Sequence, residues 1–309
     1  MRTVVTGGSG FIGSHVVGRL LAAGHDVVVI DRHQHREREG ARYVHADILD
    51  PGLHETMGGA DVVFHLAAEA DVDATVEKPV ETTRTNVEGT AAVLEAARRA
   101  GAGRVVLAST VWVYGAALDD GLVPERTAFL PGAVNHVYTA SKLAAEMLMH
   151  GYHALYGLDN TILRYGIPYG PGMREELVIA RFVRQALAGE PLTVAGDGSQ
   201  YRHYVYVEDL ADAHVLSLSD AARNGVFVLE GSEAVSIKAI ADAIRALVDD
   251  VEVRYEPARP GDYSGRRIES EAAERILGWR PTTRFADGLR HYVEWYREQA
   301  SRTSDRLPG

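Results

Sequence analysis

The 309-residue sequence predicts an α/β protein in which a parallel sheet carries helices on both faces and is joined to a smaller, interleaved C-terminal α/β lobe. Strand and helix signals alternate through the first half of the chain, which is the pattern of a doubly wound sheet. The pattern changes near residue 166, where several turns containing Gly and Pro follow one another. We expect domains over residues 1–165 and 166–300, and a disordered tail over 301–309.

The individual elements follow from short runs of apolar and β-branched residues separated by turns. The predicted strands are 2–6, 26–30, 42–45, 61–65, 104–108 and 161–164. The predicted helices are 14–23, 86–100, a run that begins near 138, and 285–299, and residues 167–172 are predicted to form a loop.

Composition excludes several classes of function. A net charge of -11 argues against a nucleic-acid surface. The absence of cysteine excludes disulfides, thiolate metal sites and cysteine nucleophiles, and fits a reducing, cytoplasmic compartment. No apolar run approaches the roughly 20 residues that cross a bilayer, and the N-terminus reads as a strand rather than a signal peptide. The 13 histidines are scattered without a carboxylate cluster, so we expect no metal.

A glycine loop follows the first strand, in the sequence Gly7-Gly8-Ser9-Gly10-Phe11-Ile12-Gly13. Gly7 would permit a tight turn, Gly10 would let the backbone approach a pyrophosphate at the helix N-terminus, and Gly13 would let the helix pack closely on the strand. Strand, glycine loop and helix in this order predict a Rossmann-type dinucleotide site. The same glycines could serve only a turn in another α/β protein.

Asp31 ends the second strand, eighteen residues after Gly13. Its carboxylate suits the ribose hydroxyls of an adenosine and would repel a 2′-phosphate, which favours NAD over NADP. Arg32 follows directly and could weaken that preference. Asp47 follows the third strand and could either cap a turn or meet the adenine edge.

Tyr138 and Lys142 lie four residues apart at the start of a helical run. Both side chains then project from one face of the helix. An ammonium beside a phenol favours the phenolate, so Tyr138 could act as a base nearer to neutral pH. The pair alone could equally be an aromatic residue at a helix start beside a solvated lysine.

Taken together, these residues resemble the extended short-chain dehydrogenase/reductases, in their nucleotide-sugar epimerase/dehydratase branch. The resemblance extends over nearly the whole chain. The matching segments, in chain order, are 6–13, 64–68, 86–90, 113–115, 138–142, 169–172, 196–202, 206–209, 259–262 and 277–279.

The resemblance implies a tightly bound NAD in residues 1–165 and a nucleotide-sugar site in residues 166–300. Tyr138 would take a proton from a sugar hydroxyl, Lys142 would hold the nicotinamide ribose and lower the phenol pKa, and Thr110 would hydrogen-bond the same hydroxyl. The implied cofactor contacts are Gly7, Gly10, Phe11, Ile12, Gly13, Asp31, Arg32, Asp47, Ile48, Leu66, Ala67, Ala68, Asn86, Ser109, Tyr138, Lys142 and Tyr165.

For the substrate, the resemblance implies a UDP- or dTDP-hexose whose diphosphate meets Arg202 and Arg259. Guanidinium groups suit phosphate oxygens, although either arginine could instead form a surface ion pair. Asp262 and Arg174 are further substrate-contact candidates; Arg174 could equally be a solvated arginine at a helix start. The resemblance also implies a homodimer, formed through helices 86–100 and 138–156.

The sequence departs from the family at the two residues after Thr110. Sugar 4,6-dehydratases carry Asp and Glu there to eliminate water, and decarboxylases carry the Glu, whereas this chain has Val111 and Trp112. Neither side chain can move a proton, which leaves oxidation at one carbon and return of hydride to either face, a 4-epimerase. Ile167 replaces a family Asn, and His203 stands where Asp commonly follows the phosphate arginine.

Two alternatives use the same residues differently. A nucleotide-sugar 4-ketoreductase or dehydrogenase would exchange its cofactor after each turnover. A non-catalytic dinucleotide sensor could share the fold, although such proteins typically lose the tyrosine.

Overall fold

A computed structural model describes residues 1–33, 35–115, 122–129, 132, 134, 136–248, 251–258, 265 and 267–304. Its strands are β1 (Arg2–Thr6), β2 (Asp26–Asp31), β3 (Arg42–His45), β4 (Val62–His65), β5 (Arg104–Thr110), β6 (Leu122–Val123), β7 (Asp159–Tyr165), β8 (Ile167–Tyr169), β9 (Leu192–Ala195), β10 (Tyr201–Tyr206), β11 (Gly225–Leu229), β12 (Ala234–Ser236), β13 (Val253–Glu256) and β14 (Arg267–Ile268).

The α-helices connect these strands and account for most of the remaining regular structure. They are α1 (Phe11–Ala22), α2 (Leu53–Thr56), α3 (Val72–Glu77), α4 (Pro79–Thr83), α5 (Gly89–Ala100), α6 (Val137–Tyr156), α7 (Val178–Leu187), α8 (Val207–Leu216), α9 (Ile237–Leu247) and α10 (Phe285–Ser304). A π-helical segment, Arg84–Glu88, joins α4 to α5. Both α5 and α6 end at a glycine in the left-handed conformation, Gly101 and Gly157, a common way to terminate a helix.

Seven strands of the described residues form a parallel sheet in the order β11-β7-β5-β4-β1-β2-β3. The strand order reverses beside β1, and in such sheets ligands bind beyond the carboxyl ends of the strands at that point. The strands β2, β4 and β5 are buried on both faces: Val27, Val28, Val29 and Ile30 of β2, for example, are no more than 1% exposed. The doubly wound α/β fold predicted from the sequence is confirmed.

The chain divides into two compact units that exchange segments. The first contains Met1–Tyr165, Leu210–Leu229 and Ile268–Arg280, and holds the seven-stranded sheet. The second contains Gly166–Asp209, Glu230–Arg267 and Pro281–Gly309. Within the second unit β12, β10 and β8 form a small sheet, and β13 pairs with β9.

Two local predictions are wrong. Residues 167–172 were expected to form a loop, but the first three form β8, which pairs in parallel with Tyr204–Tyr206 of β10. Turn-forming Gly and Pro hide this strand from a local reading, because its partner lies far away in the sequence. The tail was expected from Ser301, but α10 continues through Ser304.

Candidate active site

The glycine loop lies between β1 and the N-terminus of α1. Gly7 has a φ of +74° and donates its N–H to the carbonyl of Ile30 at 2.9 Å, so a left-handed turn forms where a glycine is required. A Cβ on Gly13 would overlap the Gly7 carbonyl oxygen, which shows how closely α1 approaches the loop. Around Gly10, by contrast, the one atom within 4 Å of such a Cβ is the Gly7 oxygen. The loop therefore presents an open backbone face at a helix N-terminus, which fits a pyrophosphate.

Asp31 is fixed at the carboxyl end of β2 by backbone donors. One carboxylate oxygen accepts the N–H of Ser9 at 3.0 Å, and the other accepts the N–H of His33 at 2.9 Å. The first bond ties the carboxylate directly to the glycine loop. The glycine loop and Asp31, both predicted from the sequence to contact the cofactor, therefore lie together, although Ser9 and Asp31 are 22 positions apart.

Asp47 caps a turn, as one of its two sequence interpretations proposed. Its Oδ1 accepts the N–H of Leu49 at 2.9 Å, and its Oδ2 lies 3.9 Å from the guanidinium of Arg32. Both charged side chains are substantially exposed. Ile48 points into the core and is 6% exposed, so only its backbone is placed to meet a ligand.

The segment after β4 runs beside the glycine loop. Leu66 donates its N–H to the Thr6 carbonyl at 3.0 Å, and a Cβ on Gly7 would lie 2.6 Å from the Ala67 nitrogen. Ala68 follows, half-buried. Phe11 and Ile12, at the start of α1, are also half-buried.

Lys142 is held at the end of β5 next to the ring of Tyr138. Its side chain is 6% exposed, its Nζ donates to the carbonyl of Ala108 at 3.0 Å, and Nζ lies 5.9 Å from the Tyr138 ring centroid. Burial lowers the pKa of Lys142 to about 8, and the charge of Glu146 opposes that shift. The ammonium therefore stays charged at neutral pH while it adjoins the phenol ring.

Thr110 is the last residue of β5 and is 6% exposed. Its Oγ accepts the N–H of Trp112 at 3.2 Å, so its own hydroxyl proton remains to be donated elsewhere. Trp112 is the second residue of the short turn that follows, Val111–Tyr114, and is 41% exposed. The three sequence-predicted catalytic residues, Tyr138, Lys142 and Thr110, all belong to the first unit and flank the end of one strand.

A buried charged network supports this arrangement. Glu146 is 1% exposed, accepts Ser109 Oγ–H at 2.5 Å, and forms a two-point pair with Arg164 at 3.0 and 2.6 Å. Arg164 also donates to the hydroxyl of Tyr114 at 2.9 Å. Ser109, predicted as a cofactor contact, thus has its side chain committed to Glu146.

Asn86 and Tyr165, two further predicted cofactor contacts, are also engaged. The Asn86 amide bonds both backbone groups of Glu69, at 2.7 and 2.9 Å, and donates to Ser141 Oγ at 3.0 Å. Asn86 therefore ties the segment after β4 to the helix that carries Tyr138. The Tyr165 hydroxyl meets Nε2 of the buried His214 at 2.6 Å.

His136 is a residue whose position the sequence did not predict. It caps α6 by accepting the N–H of Thr139 at Nδ1 (3.3 Å), and its ring centroid lies 5.1 Å from that of Trp112 and 6.3 Å from that of Tyr138. The signal for the cap is a polar residue two positions before Tyr138 at a helix start. The contact with Trp112 joins residues 24 positions apart and has no local signal.

The predicted substrate residues other than Thr110 belong to the second unit. Arg202 is half-buried on β10 and donates to the carbonyl of Tyr201 at 2.8 Å, and Arg174 is exposed. His203 is 7% exposed, and Ile167 opens β8. The remaining two candidates, Arg259 and Asp262, lie outside the described residues.

Comparison with known proteins places this geometry in a family. The model of the NAD dependent epimerase/dehydratase family matches residues 3–229. The chain belongs to this family, within the extended short-chain dehydrogenase/reductases, as the sequence motifs predicted. It is therefore an enzyme of an NAD-dependent class, and the glycine loop and Asp31 are a suitable site for that cofactor.

Three similar proteins catalyse three different reactions. The UDP-N-acetyl-alpha-D-glucosaminuronate decarboxylase of Bacillus cytotoxicus is 34% identical over 320 aligned residues, covering 96% of this chain and 98% of that enzyme. The UDP-glucose 4-epimerase of Thermotoga maritima, solved with UDP-glucose, has a TM-score of 0.90 at 30% identity, over 97% of this chain and 100% of that one. The dTDP-glucose 4,6-dehydratase of Streptomyces venezuelae, solved with NAD, has a TM-score of 0.87 at 35% identity, over 97% and 98%.

Among the described residues, no helix has the length and apolar character needed to span a membrane. The same part of the chain contains no group of three or more His, Asp or Glu side chains placed to hold a metal ion.

Proposed function

We propose that this enzyme is an NAD-dependent 4-epimerase of nucleotide-diphosphate sugars. The observation that carries the proposal is the end of β5, where Lys142 lies beside the Tyr138 ring and Thr110 ends the strand, while the next two residues are Val111 and Trp112. One proton-transfer group with its supporting lysine suffices for oxidation and reduction at one carbon. Elimination of water needs further acid and base groups, which those two side chains cannot supply.

In the proposed mechanism, the Tyr138 phenolate removes the proton of the sugar 4-hydroxyl, and the Thr110 hydroxyl donates a hydrogen bond to the same oxygen. The charged Lys142 stabilises the phenolate by Coulomb attraction. When bound, NAD accepts the hydride from C4 and later supplies it. The 4-keto sugar turns about its diphosphate link, and Tyr138 returns the proton once hydride has reached the opposite face.

Arg202 and Arg259 are proposed to hold the diphosphate while the sugar turns. A guanidinium binds phosphate oxygens at two points, so the nucleotide end stays fixed without restraining the hexose. The reaction has no net redox change, since substrate and product differ only in configuration at C4. The proposal therefore includes an NAD that stays bound between turnovers.

A direct test incubates the purified enzyme with UDP- and dTDP-linked glucose or galactose and no added cofactor, and follows the products by NMR. Interconversion of the 4-epimers supports the proposal. Stoichiometric consumption of added NADH or NADPH on a 4-keto sugar, with no epimer formed, would instead identify a ketoreductase. Release of carbon dioxide from a UDP-uronic acid would identify a decarboxylase.

We further propose a homodimer formed through α4, α5 and α6. Two of these helices, α4 and α6, expose apolar side chains that would otherwise face water: Val80 is 80% exposed, Met147 63% and Leu155 75%. Light scattering should give twice the mass of one chain, and Met147→Glu with Leu155→Glu should give the mass of one.

A further inference from the structure

Trp112 stands at the position where dehydratases and decarboxylases of the family carry a Glu, and its indole contacts the ring of His136, which in turn stacks near the ring of Tyr138. Its backbone N–H donates to Thr110 Oγ at 3.2 Å, which ties the backbone of Trp112 to the proposed catalytic threonine. The side chain packs against His136 and remains 41% exposed. A large, partly exposed aromatic surface therefore lies one ring away from Tyr138.

The chemistry of this surface is apolar and uncharged. The indole offers a single N–H donor and otherwise C–H and π surface. Burial lowers the pKa of His136 below its usual value, so the imidazole beside the indole is neutral at pH 7. Its Nδ1 accepts a backbone N–H, which leaves Nε2 protonated and unable to gain charge without breaking the cap.

Cations that could pair with an acidic sugar are scarce in the same stretch of chain. Between residues 111 and 137 the sequence holds one Lys or Arg, Arg126, against Asp119, Asp120 and Glu125. Arg126 is exposed. Lys142 is already committed to the Ala108 carbonyl and to Tyr138. A carboxylate held against the indole would lose hydration and gain no ion pair from that side chain, which is unfavourable.

We propose that Trp112 selects nucleotide sugars with an uncharged C5 substituent, a methyl or hydroxymethyl group, and rejects uronic acids. This inference rests on the proposed 4-epimerase, because it places C4 at Thr110. The 6-deoxyhexoses fit this surface best, since a methyl group gains contact with the indole and has no hydroxyl to desolvate.

The test compares glucose, 6-deoxyglucose and glucuronic acid, each linked to UDP and to dTDP, by kcat/KM for epimer formation. We expect 6-deoxyglucose and glucose to exceed glucuronic acid by about tenfold or more, the range that one pocket contact supplies. Trp112→Arg should invert the order by raising the glucuronic acid value, and Trp112→Phe should preserve it. Equal turnover of glucuronic acid by the unaltered enzyme, or no change of order in Trp112→Arg, would overturn the inference.

A binding measurement separates this inference from the 4-epimerase proposal. Isothermal titration of the Tyr138→Phe variant with the same six nucleotide sugars reports selection without turnover. The same preference in binding, with no epimer formed by the unaltered enzyme, would reject the reaction and keep the selectivity. Tighter binding of the uronic acids would reject the selectivity, whatever the reaction.

Discussion

The two ends of the candidate site differ in how they are built. At the cofactor end, the geometry depends on the backbone: Gly7 adopts a left-handed turn, and two backbone N–H groups fix the Asp31 carboxylate. At the catalytic end, the geometry depends on side chains. Lys142 is buried beside the Tyr138 ring, and the buried Glu146 pairs with Arg164. The backbone end matches the family pattern and identifies the class. The side-chain end departs from that pattern at Val111 and Trp112, and therefore carries the information about the reaction.

The largest expected effect comes from Tyr138→Phe. Removing the hydroxyl removes the proposed base, and general acid–base groups of this kind contribute about 10²- to 10⁴-fold to the rate. Epimer formation measured by NMR should fall by that factor while the fold is retained. Tyr152→Phe on the same helix is the matched control, because its hydroxyl makes one long bond at 3.5 Å to the Ala91 carbonyl. Equal losses in both variants would remove Tyr138 from the mechanism.

Glu146→Gln should disturb the catalytic end more than any other change outside the reacting groups. Leaving Arg164 buried without its partner costs about 3–5 kcal/mol of unfolding free energy. The Glu146 charge raises the pKa of Lys142, so the variant should have a lower Lys142 pKa. The alkaline loss of activity, expected near the Lys142 pKa of about 8 in the unaltered enzyme, should then begin at a lower pH. Glu95→Gln, which removes one partner of an exposed pair with Arg98, should leave both the unfolding free energy and the pH profile unchanged.

Gly13→Ala tests the backbone end. An added methyl group meets the Gly7 carbonyl, so α1 must move away from β1, at a cost of about 1–3 kcal/mol in unfolding free energy. NAD affinity should fall with it. Gly18→Ala on the same helix meets nothing closer than 3.8 Å and should be neutral or stabilising by up to about 1 kcal/mol, because alanine favours helix. Urea denaturation of both variants measures the difference.

Two buried histidines of the first unit should make stability fall in acid. Burial lowers the pKa of His65 to about 3 and of His214 to about 4, against 6.5 when unfolded. Between pH 6.5 and 4 the unfolded chain therefore binds more protons, and the folded state loses about 2 kcal/mol per histidine by pH 5. Denaturation at pH 7 and pH 5 should show this loss reduced in His214→Asn and unchanged in the exposed His150→Asn.

The smallest effect should be that of Arg32→Ala. Its ion pair with Asp47 spans 3.9 Å between exposed side chains, so the unfolding free energy should change by less than about 1 kcal/mol. A larger change would show that the adenosine end depends on side chains as well as on backbone.

The sequence predicted the features that depend on local pattern. The glycine loop, the strand that ends at Asp31, and the helical spacing of Tyr138 and Lys142 each occupy a few consecutive residues. It could not predict β8, whose partner Tyr204–Tyr206 lies more than 30 residues away, because Gly and Pro dominate the local signal.

Non-local packing also explains the missed parts of the site. The contact of His136 with Trp112 and the pairing of Glu146 with Arg164 depend on how β5, α6 and β7 pack. Both become visible only when those elements are assembled. From the sequence, Trp112 could be interpreted only as a missing proton-transfer group. The structure shows that it provides a partly exposed indole surface beside His136.

In the proposed reaction, Tyr138 moves protons for hydride transfer at C4 and does no chemistry at C5. The most direct test incubates the enzyme in D₂O, without added cofactor, with a nucleotide hexose that it converts to the 4-epimer. NMR then examines the remaining substrate and the epimer for deuterium. We expect 4-epimers with no deuterium on carbon, since the C4 hydrogen is returned to the same carbon without exchange and the C5 hydrogen never leaves. Deuterium at C5, or a 6-deoxy-4-keto product, would contradict it.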